Sequence, residues 1–144
     1  MKARIALVSC CLLAGAGFLP TVRASAEKSV RDGIYTDAQA ERGKALYEKA
    51  CQSCHRPNLK GHGQTPSLAG DSFVQKWDGQ TMGDLFEKTQ TSMPADHPGS
   101  LSREDNAAIL AYVLQANKYA AGTEELPTDS EQLAKIRFEA AKGQ

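Results

Sequence analysis

The sequence has few of the residues that form metal and catalytic sites. Its 144 residues include only four cysteines, three histidines, three methionines and one tryptophan. A four-cysteine zinc site usually needs two CxxC pairs. Only Cys51 and Cys54 form such a pair, because the other two cysteines, Cys10 and Cys11, lie near the start of the chain. Lysine and arginine (17) only balance aspartate and glutamate (17), which gives no basic excess for binding nucleic acid. The chemistry of this chain must therefore depend on a small number of side chains.

The first 26 residues have the composition of a secretory signal peptide. Lys2 and Arg4 give a positive start, residues 5–19 form an apolar run, and Ala24-Ser25-Ala26 is a small-x-small cleavage site. We therefore predict that residues 1–26 are cleaved off and that the chain is exported to the periplasm. Retention of the signal as a membrane anchor stays open. Lipid attachment at Cys10 is disfavoured, because too few apolar residues precede that cysteine.

Without this segment the chain has 118 residues, a size typical of one domain. No later stretch approaches the roughly 18 consecutive apolar residues of a membrane span, so we expect no membrane span in the mature chain. It carries 14 basic and 17 acidic residues, a formal charge of −3. A mildly acidic protein is expected to meet partner proteins through a local patch and not to bind nucleic acid.

The motif Cys51-Gln52-Ser53-Cys54-His55 is the most specific pattern in the sequence. Two cysteines separated by two residues and followed at once by histidine are the attachment pattern of a c-type haem. Each thiol would join one vinyl group of the porphyrin, and His55 would ligate the iron. The alternative is a redox dithiol, but such a pair normally belongs to a strand-helix-strand pattern, and no strand-rich stretch precedes Cys51.

Two stretches have the periodicity of amphipathic helices. From Asp37, a candidate N-cap, apolar or small residues recur at spacings of three and four up to residue 50. Gly43 costs such a helix about 1 kcal/mol relative to alanine, so we predict that another backbone approaches it closely. The predicted partner is a helix at about residues 102–117, capped by Ser102, with Ile109 and Tyr112 on its apolar face. We expect these two helices to cross.

The remaining stretches predict little regular structure. Residues 27–36 are predicted to form an N-terminal arm lying across a domain of residues 37–120. Residues 56–80 are rich in glycine and proline, and a loop of this length favours organisation by a large cofactor. We predict a helical turn at residues 71–77 and a short helix at 82–90. Residues 121–144 are predicted to form a C-terminal extension with a helix over 129–142, the alternative being a disordered or partner-docking tail.

Four side chains could provide a sixth iron ligand. Met93 lies in an irregular stretch before the last predicted helix, and the proline after it restricts the backbone there. Met82 begins a predicted helix, where an apolar methionine is more often a core residue. His62 and His97 are predicted to be solvated, although either would give a bis-histidine iron of lower potential. We therefore predict Met93 as the distal ligand.

Six motifs follow one another along the chain: Gly43-x-x-x-Tyr47, Cys51-x-x-Cys54-His55, Pro66-x-Leu68, Trp77, Met93-Pro94 and Ile109-x-x-Tyr112. In this order the chain resembles the class I (mono-haem) cytochromes c. The resemblance covers about residues 30–127. It implies an all-α fold in which crossed N- and C-terminal helices pack around one covalently bound haem.

Two further segments narrow the resemblance. Residues 32–40 and residues 93–101, which include the run Pro98-Gly99-Ser100-Leu101, are similar to those of the small cytochrome c domains associated with quinoprotein (PQQ) alcohol and sugar dehydrogenases. This similarity implies a redox partner of the quinoprotein dehydrogenase class, with a terminal oxidase or another cytochrome as acceptor. It also implies haem attachment outside the cytoplasmic membrane, in agreement with the predicted signal.

The class I resemblance assigns a role to each site residue. Cys51 and Cys54 would form the thioether links to haem c, His55 would be the proximal ligand and Met93 the distal one. The Pro66 carbonyl would accept the second imidazole N–H. Trp77 would donate its indole N–H to a haem propionate, the alternative being a core aromatic. The chain departs from the usual proline-rich turn after the distal methionine, where it has Ala95-Asp96-His97.

These features lead to two hypotheses of different classes. The first is an electron-transfer protein, not an enzyme, with both axial positions filled and with methionine raising the potential of the iron. The second is a peroxidase-like haem enzyme with an open or labile distal position and with His62 or His97 as its acid-base group. A variant of the first is a docking subunit that stays bound to a larger dehydrogenase.

Overall fold

The computed structural model describes residues 28–140, and the predicted signal peptide, residues 1–26, lies outside this range. Within it the chain forms six helices and one pair of two-residue strands. The helices are α1 (Asp37–Ala50), α2 (Gln52–His55), α3 (Asp71–Trp77), α4 (Met82–Ser92), α5 (Arg103–Ala116) and α6 (Ser130–Ala134). Strand β1 (Lys28–Ser29) pairs in parallel with β2 (Ile136–Arg137). This is an all-α fold of the cytochrome c type, as the sequence predicts.

The predicted crossing of the two long helices is confirmed by the packing of α1 on α5. A Cβ atom built on Gly43 would lie 1.8 Å from the carbonyl oxygen of Ala108, so only glycine allows the two backbones to approach this closely. The rings of Tyr47 and Tyr112 pack beside this contact, with centroids 5.4 Å apart. One detail differs, because Thr36 and not Asp37 is the N-cap: its backbone is extended and its hydroxyl accepts the Gln39 N–H.

Helix α5 is buried over most of its circumference. Its predicted apolar face is present, but Ala107, Leu110, Ala111 and Leu114 are buried as well, and Tyr112 is only half-buried. The reason is that α5 packs against α1 and α4 and also forms part of the wall of a cavity. The predicted Ser102 cap is confirmed, since its hydroxyl accepts the Asp105 N–H at 3.0 Å.

The N-terminal arm contributes to the core rather than only lying across it. Its three apolar residues, Val30, Ile34 and Tyr35, are each at most 5% exposed. The Tyr35 hydroxyl donates to the Tyr119 carbonyl at 2.6 Å. The arm is therefore fixed to the segment that follows α5.

The predicted C-terminal helix is confirmed only for Ser130–Ala134. After Lys135 the chain extends: Ile136 and Phe138 are buried while Arg137 between them is exposed, which is the alternation of a strand. Phe138 is fully buried between Phe73 and Tyr119, with ring centroids 5.9 and 5.6 Å away. The predicted helix is wrong for residues 135–140, because residues 136–137 pair with β1 and Phe138 packs into the core; residues 141–142 lie outside the described range.

The two predicted short helices are both present. Helix α3 has the predicted bounds, and α4 extends the predicted one to Ser92. Met82 of α4 is buried, as expected, and so are Leu85 and Phe86. In the described range no helix combines the length and the apolar character needed to cross a bilayer.

A capping box at the start of α4 leads to a testable prediction. The Thr81 hydroxyl accepts the Asp84 N–H at 3.1 Å, and the Asp84 carboxylate accepts the Thr81 N–H at 2.8 Å. We expect Thr81→Ala to lower the free energy of unfolding by about 1 kcal/mol at pH 7, measured by urea denaturation. Thr91→Ala, at an exposed position of the same helix, is the control and should change it far less.

The same capping box predicts a pH dependence. The bonds from the Thr81 side chain and backbone lower the pKa of Asp84 below its ordinary value of 3.8. A depressed carboxyl pKa stabilises the fold above the unfolded-state value, and this contribution is lost as the pH falls through the folded-state value. The difference between wild type and Thr81→Ala should therefore stay constant from pH 7 to about 5 and shrink below about 4. An equal difference at pH 3 would contradict this.

Candidate functional site

A cavity of about 450 Å³ lies next to α5. It is open at one side and bordered by α2, the loop at residues 64–68, α3, α4 and the start of the loop after α4. Seven large apolar or aromatic side chains contribute to its wall: Leu68, Phe73, Trp77, Leu85, Ile109, Leu110 and Val113. Such a wall excludes water and suits a flat, largely apolar ligand.

The CxxCH motif forms a tight turn at the edge of this cavity. Helix α1 ends at Ala50, and the Cys51 N–H still donates to the Tyr47 carbonyl at 2.9 Å. Helix α2 then makes a single turn, in which the His55 N–H donates to the Cys51 carbonyl at 2.9 Å. This turn brings Cys51, Cys54 and His55 to the cavity together, with Cys51 half-buried and Cys54 exposed.

A tyrosine holds the end of this turn. The Tyr47 hydroxyl donates to the Arg56 carbonyl at 2.6 Å. Arg56 has a φ of 67°, which turns the chain away from the helical direction directly after His55. The α1 helix therefore fixes both ends of the motif, through its own last turn and through Tyr47.

The imidazole of His55 is oriented by a backbone carbonyl. Its Nδ1 lies 3.0 Å from the Pro66 oxygen, and because a carbonyl only accepts, Nδ1 must carry the proton. Nε2 is then the nitrogen with the free lone pair. Burial lowers the pKa of His55 below its ordinary value of 6.5, which keeps the ring neutral at pH 7. A neutral imidazole with this tautomer is the form that ligates a metal.

The loop that presents Pro66 is held by Asn117, the C-cap of α5. The Asn117 Nδ2 donates to the Leu68 carbonyl at 2.9 Å, and its Oδ1 accepts the Gly70 N–H at 2.9 Å. The side chain is 5% exposed. A buried side-chain amide bonded to residues outside its own helix indicates that it holds another segment in place. The sequence alone does not show that Asn117 is buried.

Of the four candidate distal ligands, Met93 is the one that the structure places at the cavity. It is the C-cap of α4, is half-buried and donates its N–H to the Thr89 carbonyl at 3.0 Å. Met82 is 0% exposed and belongs to the core, as predicted. His62 and His97 are exposed, and neither lies among the described residues that line the cavity.

Trp77 also lies in the cavity wall and is 7% exposed. The Nζ of Lys76 lies 5.7 Å from the centre of its ring. These contacts agree both with the predicted indole donor and with a core aromatic. The role of Trp77 toward a propionate stays a prediction.

Cys51 does not have the properties of a nucleophilic redox cysteine. Burial, and to a smaller degree the neighbouring Cys54, raise the pKa of Cys51 to about 11. Reactive cysteines have lowered pKa values, because the thiolate is the nucleophile. Cys51 is therefore not the activated thiol that thiol–disulfide exchange requires.

Cavity and donor set together fit a c-type haem. Two sulfurs lie at one edge, a neutral imidazole with a free Nε2 is fixed beside them, a methionine lines the same cavity, and most of the exposed wall surface is apolar. When bound there, a haem supplies a reversible one-electron couple between ferrous and ferric iron.

Comparison with known proteins agrees with this geometry. The family model described as "Cytochrome C oxidase, cbb3-type, subunit III" matches residues 38–113, just over half of the chain. No curated protein matches. Among solved structures, the sulfane dehydrogenase SoxCD from Paracoccus pantotrophus contains a chain of similar fold, with a TM-score of 0.51 and 23% sequence identity; the match covers 82% of this chain and 63% of that one. The protein belongs to the cytochrome c domain family of the matched model, and it is a mono-haem class I cytochrome c with covalently attached haem.

Proposed function

We propose that this chain is an exported electron carrier whose iron is ligated by His55 and Met93. The observation that carries the proposal is that these two side chains, supplied by different parts of the chain, line one apolar cavity together with the two thiols. Filled axial positions and an apolar wall suit outer-sphere electron transfer, since neither a substrate site nor a proton donor is then needed.

Each site residue has a defined task in this proposal. The Pro66 carbonyl keeps the proton on Nδ1 of His55, so that Nε2 remains a ligand in both oxidation states. Methionine as the second ligand raises the reduction potential relative to a second histidine. Cys54 is exposed, which supports exchange of electrons at the edge of the cavity where it lies.

The optical spectrum of the haem-loaded protein tests this proposal. We expect the weak far-red ferric band that reports methionine-sulfur ligation in this family, called here the sulfur–iron band, and slow or absent binding of carbon monoxide to the ferrous form. Rapid carbon monoxide binding together with turnover of peroxide would favour the haem-enzyme hypothesis instead. Against that hypothesis, His55 is the only histidine among the described residues of the cavity wall.

We further propose that the electrons come from a periplasmic dehydrogenase and pass to a respiratory acceptor. Two observations support a dehydrogenase partner: the similarity of residues 32–40 and 93–101 to the domains associated with quinoproteins, and the shared fold with a chain of a sulfane dehydrogenase. Size-exclusion chromatography of the native complex distinguishes the two modes of partnership. Comigration with a dehydrogenase at low concentration and high salt indicates a docked subunit, and separation indicates a diffusing carrier.

Export of the chain is a proposal supported by the composition of residues 1–26 and by the site of haem attachment that the resemblance implies. The mass of the mature protein from a periplasmic extract tests it. A species that begins at Glu27 and carries one haem is the expected result. An intact N-terminus in the membrane fraction would identify the segment as an anchor.

A further inference from the structure

The loop that carries Met93 has few contacts of its own. This distal loop, residues 93–102, connects α4 to α5, and residues 95–100 are all exposed. Two backbone bonds lie within it, from His97 to Pro94 at 3.0 Å and from Ser100 to His97 at 3.3 Å. Because no fully buried side chain anchors the loop, its position must be set at its two ends.

Both ends of the distal loop are connected through one pair of side-chain amides, the buried Asn106 and the half-buried Gln90. Asn106, in the first turns of α5, donates its Nδ2 to the Phe86 carbonyl at 3.1 Å and to the Gln90 Oε1 at 3.2 Å. Gln90 in turn donates its Nε2 to the Leu101 carbonyl at 2.7 Å. The Phe86 and Leu101 carbonyls only accept, so both amides have a defined orientation. The pair thus links the last two turns of α4, which end at Met93, to the far end of the loop.

The energetics of Asn106 indicate that it does more than stabilise the fold. The residue is 0% exposed, and its Oδ1 has no hydrogen-bond partner among the described residues. Burying an unpaired amide oxygen is unfavourable, and a leucine of similar volume would avoid that cost. What a leucine could not do is fix the direction in which Gln90 and Leu101 lie. The amide of Asn106 therefore serves to fix the positions of Gln90 and Leu101.

We propose that Asn106 and Gln90 are positioning residues that hold the distal loop so that the Met93 thioether stays at the iron. This inference rests on the proposed His55 and Met93 ligation. The two amides do not line the cavity, and they act through the backbone of α4 and of the loop. Without them the loop would sample arrangements in which Met93 is withdrawn, and an external ligand could then take the distal position.

Competition by imidazole measures how strongly Met93 is held at the distal position. The ferric haem-loaded protein is titrated with imidazole, and the loss of the sulfur–iron band gives an apparent dissociation constant. We expect Asn106→Leu and Gln90→Met to bind imidazole about three- to tenfold more tightly than wild type. Each substitution removes hydrogen bonds that favour the arrangement in which Met93 ligates the iron. Gln90 is only half-buried, so its variant should fold even if Asn106→Leu does not.

Gln39→Met is the matched control. Gln39 is a buried amide, 2% exposed, whose side chain accepts the Leu126 N–H at 2.7 Å and donates to the Leu126 carbonyl at 3.1 Å. It does not line the cavity, so its loss should lower stability without changing imidazole affinity. Equal tightening in Gln39→Met, or unchanged affinity in both Asn106→Leu and Gln90→Met, would overturn the positioning role.

The same titration separates failure of this inference from failure of the proposed function. A wild type without the sulfur–iron band, or a band that survives Met93→Leu, shows that Met93 is not the ligand, and both proposals fall. A band that depends on Met93, combined with unchanged imidazole affinities in the amide variants, overturns the positioning role alone.

Discussion

Met93→Leu should abolish the sulfur–iron band and open the ferrous iron to carbon monoxide. Leucine has nearly the same volume as methionine but offers no donor atom, so the cavity wall is kept while the ligand is lost. We expect the reduction potential to fall by about 0.1–0.3 V, a part of the roughly 0.8 V range over which axial ligands set haem potentials. Spectroelectrochemical titration measures the band and the reduction potential on one sample, and carbon monoxide binding to the ferrous form is measured separately.

Met82→Leu is the matched control for this experiment. It makes the same chemical change at a methionine that is 0% exposed and lies outside the cavity wall. A small loss of stability, below about 1.5 kcal/mol, is expected with the band and the potential unchanged. If Met82→Leu removed the band and Met93→Leu did not, the assignment of the distal ligand would be wrong.

Gly43→Ala should destabilise the haem-loaded protein by about 3 kcal/mol, the upper end of what overpacking usually costs. The added methyl group would lie 1.8 Å from the Ala108 oxygen and 2.4 Å from its carbonyl carbon. A backbone cannot move aside as a side chain does, so α1 and α5 would have to separate. Denaturation with guanidinium, followed by helical circular dichroism, measures the change.

The sign of this effect distinguishes close approach from helix propensity. Propensity alone would make alanine more favourable than glycine by about 1 kcal/mol within a helix. Ala45→Gly, at an exposed position of the same helix, should follow propensity and lose about that amount. A Gly43→Ala variant as stable as wild type would show that the two helices tolerate a wider spacing.

The local chemistry of the haem site could be predicted from sequence because it depends on neighbours in the chain. The CxxCH motif places two thiols and an imidazole on one turn whatever the rest of the fold does. The long helices were predictable for the same reason, since their caps and periodicity are local. A close approach of another backbone could be predicted at Gly43. Glycine inside a helix is less stable than alanine, so its presence indicates a position without room for a side chain.

Contacts between distant segments could not be predicted in this way. Residues 136–140 were predicted as helix, but they are not helical. Residues 136–137 pair with β1, more than 100 residues earlier, and Phe138 packs between Phe73 and Tyr119. The N-terminal arm was expected to lie outside the core. The pairing of β1 with β2 instead helps to enclose it. Neither outcome has a signal in the local pattern of hydrophobic residues.

The sequence by itself determined the cofactor class, the attachment residues and the two helices that cross. Tertiary structure decided how the site is supported: it places Met93, and not His62 or His97, at the cavity, and it gives Asn117 partners in the loop that presents Pro66 and Asn106 partners in α4. The physical reason is that covalent attachment needs only adjacent residues. The position of a loop, by contrast, depends on hydrogen bonds that form only when remote segments pack together.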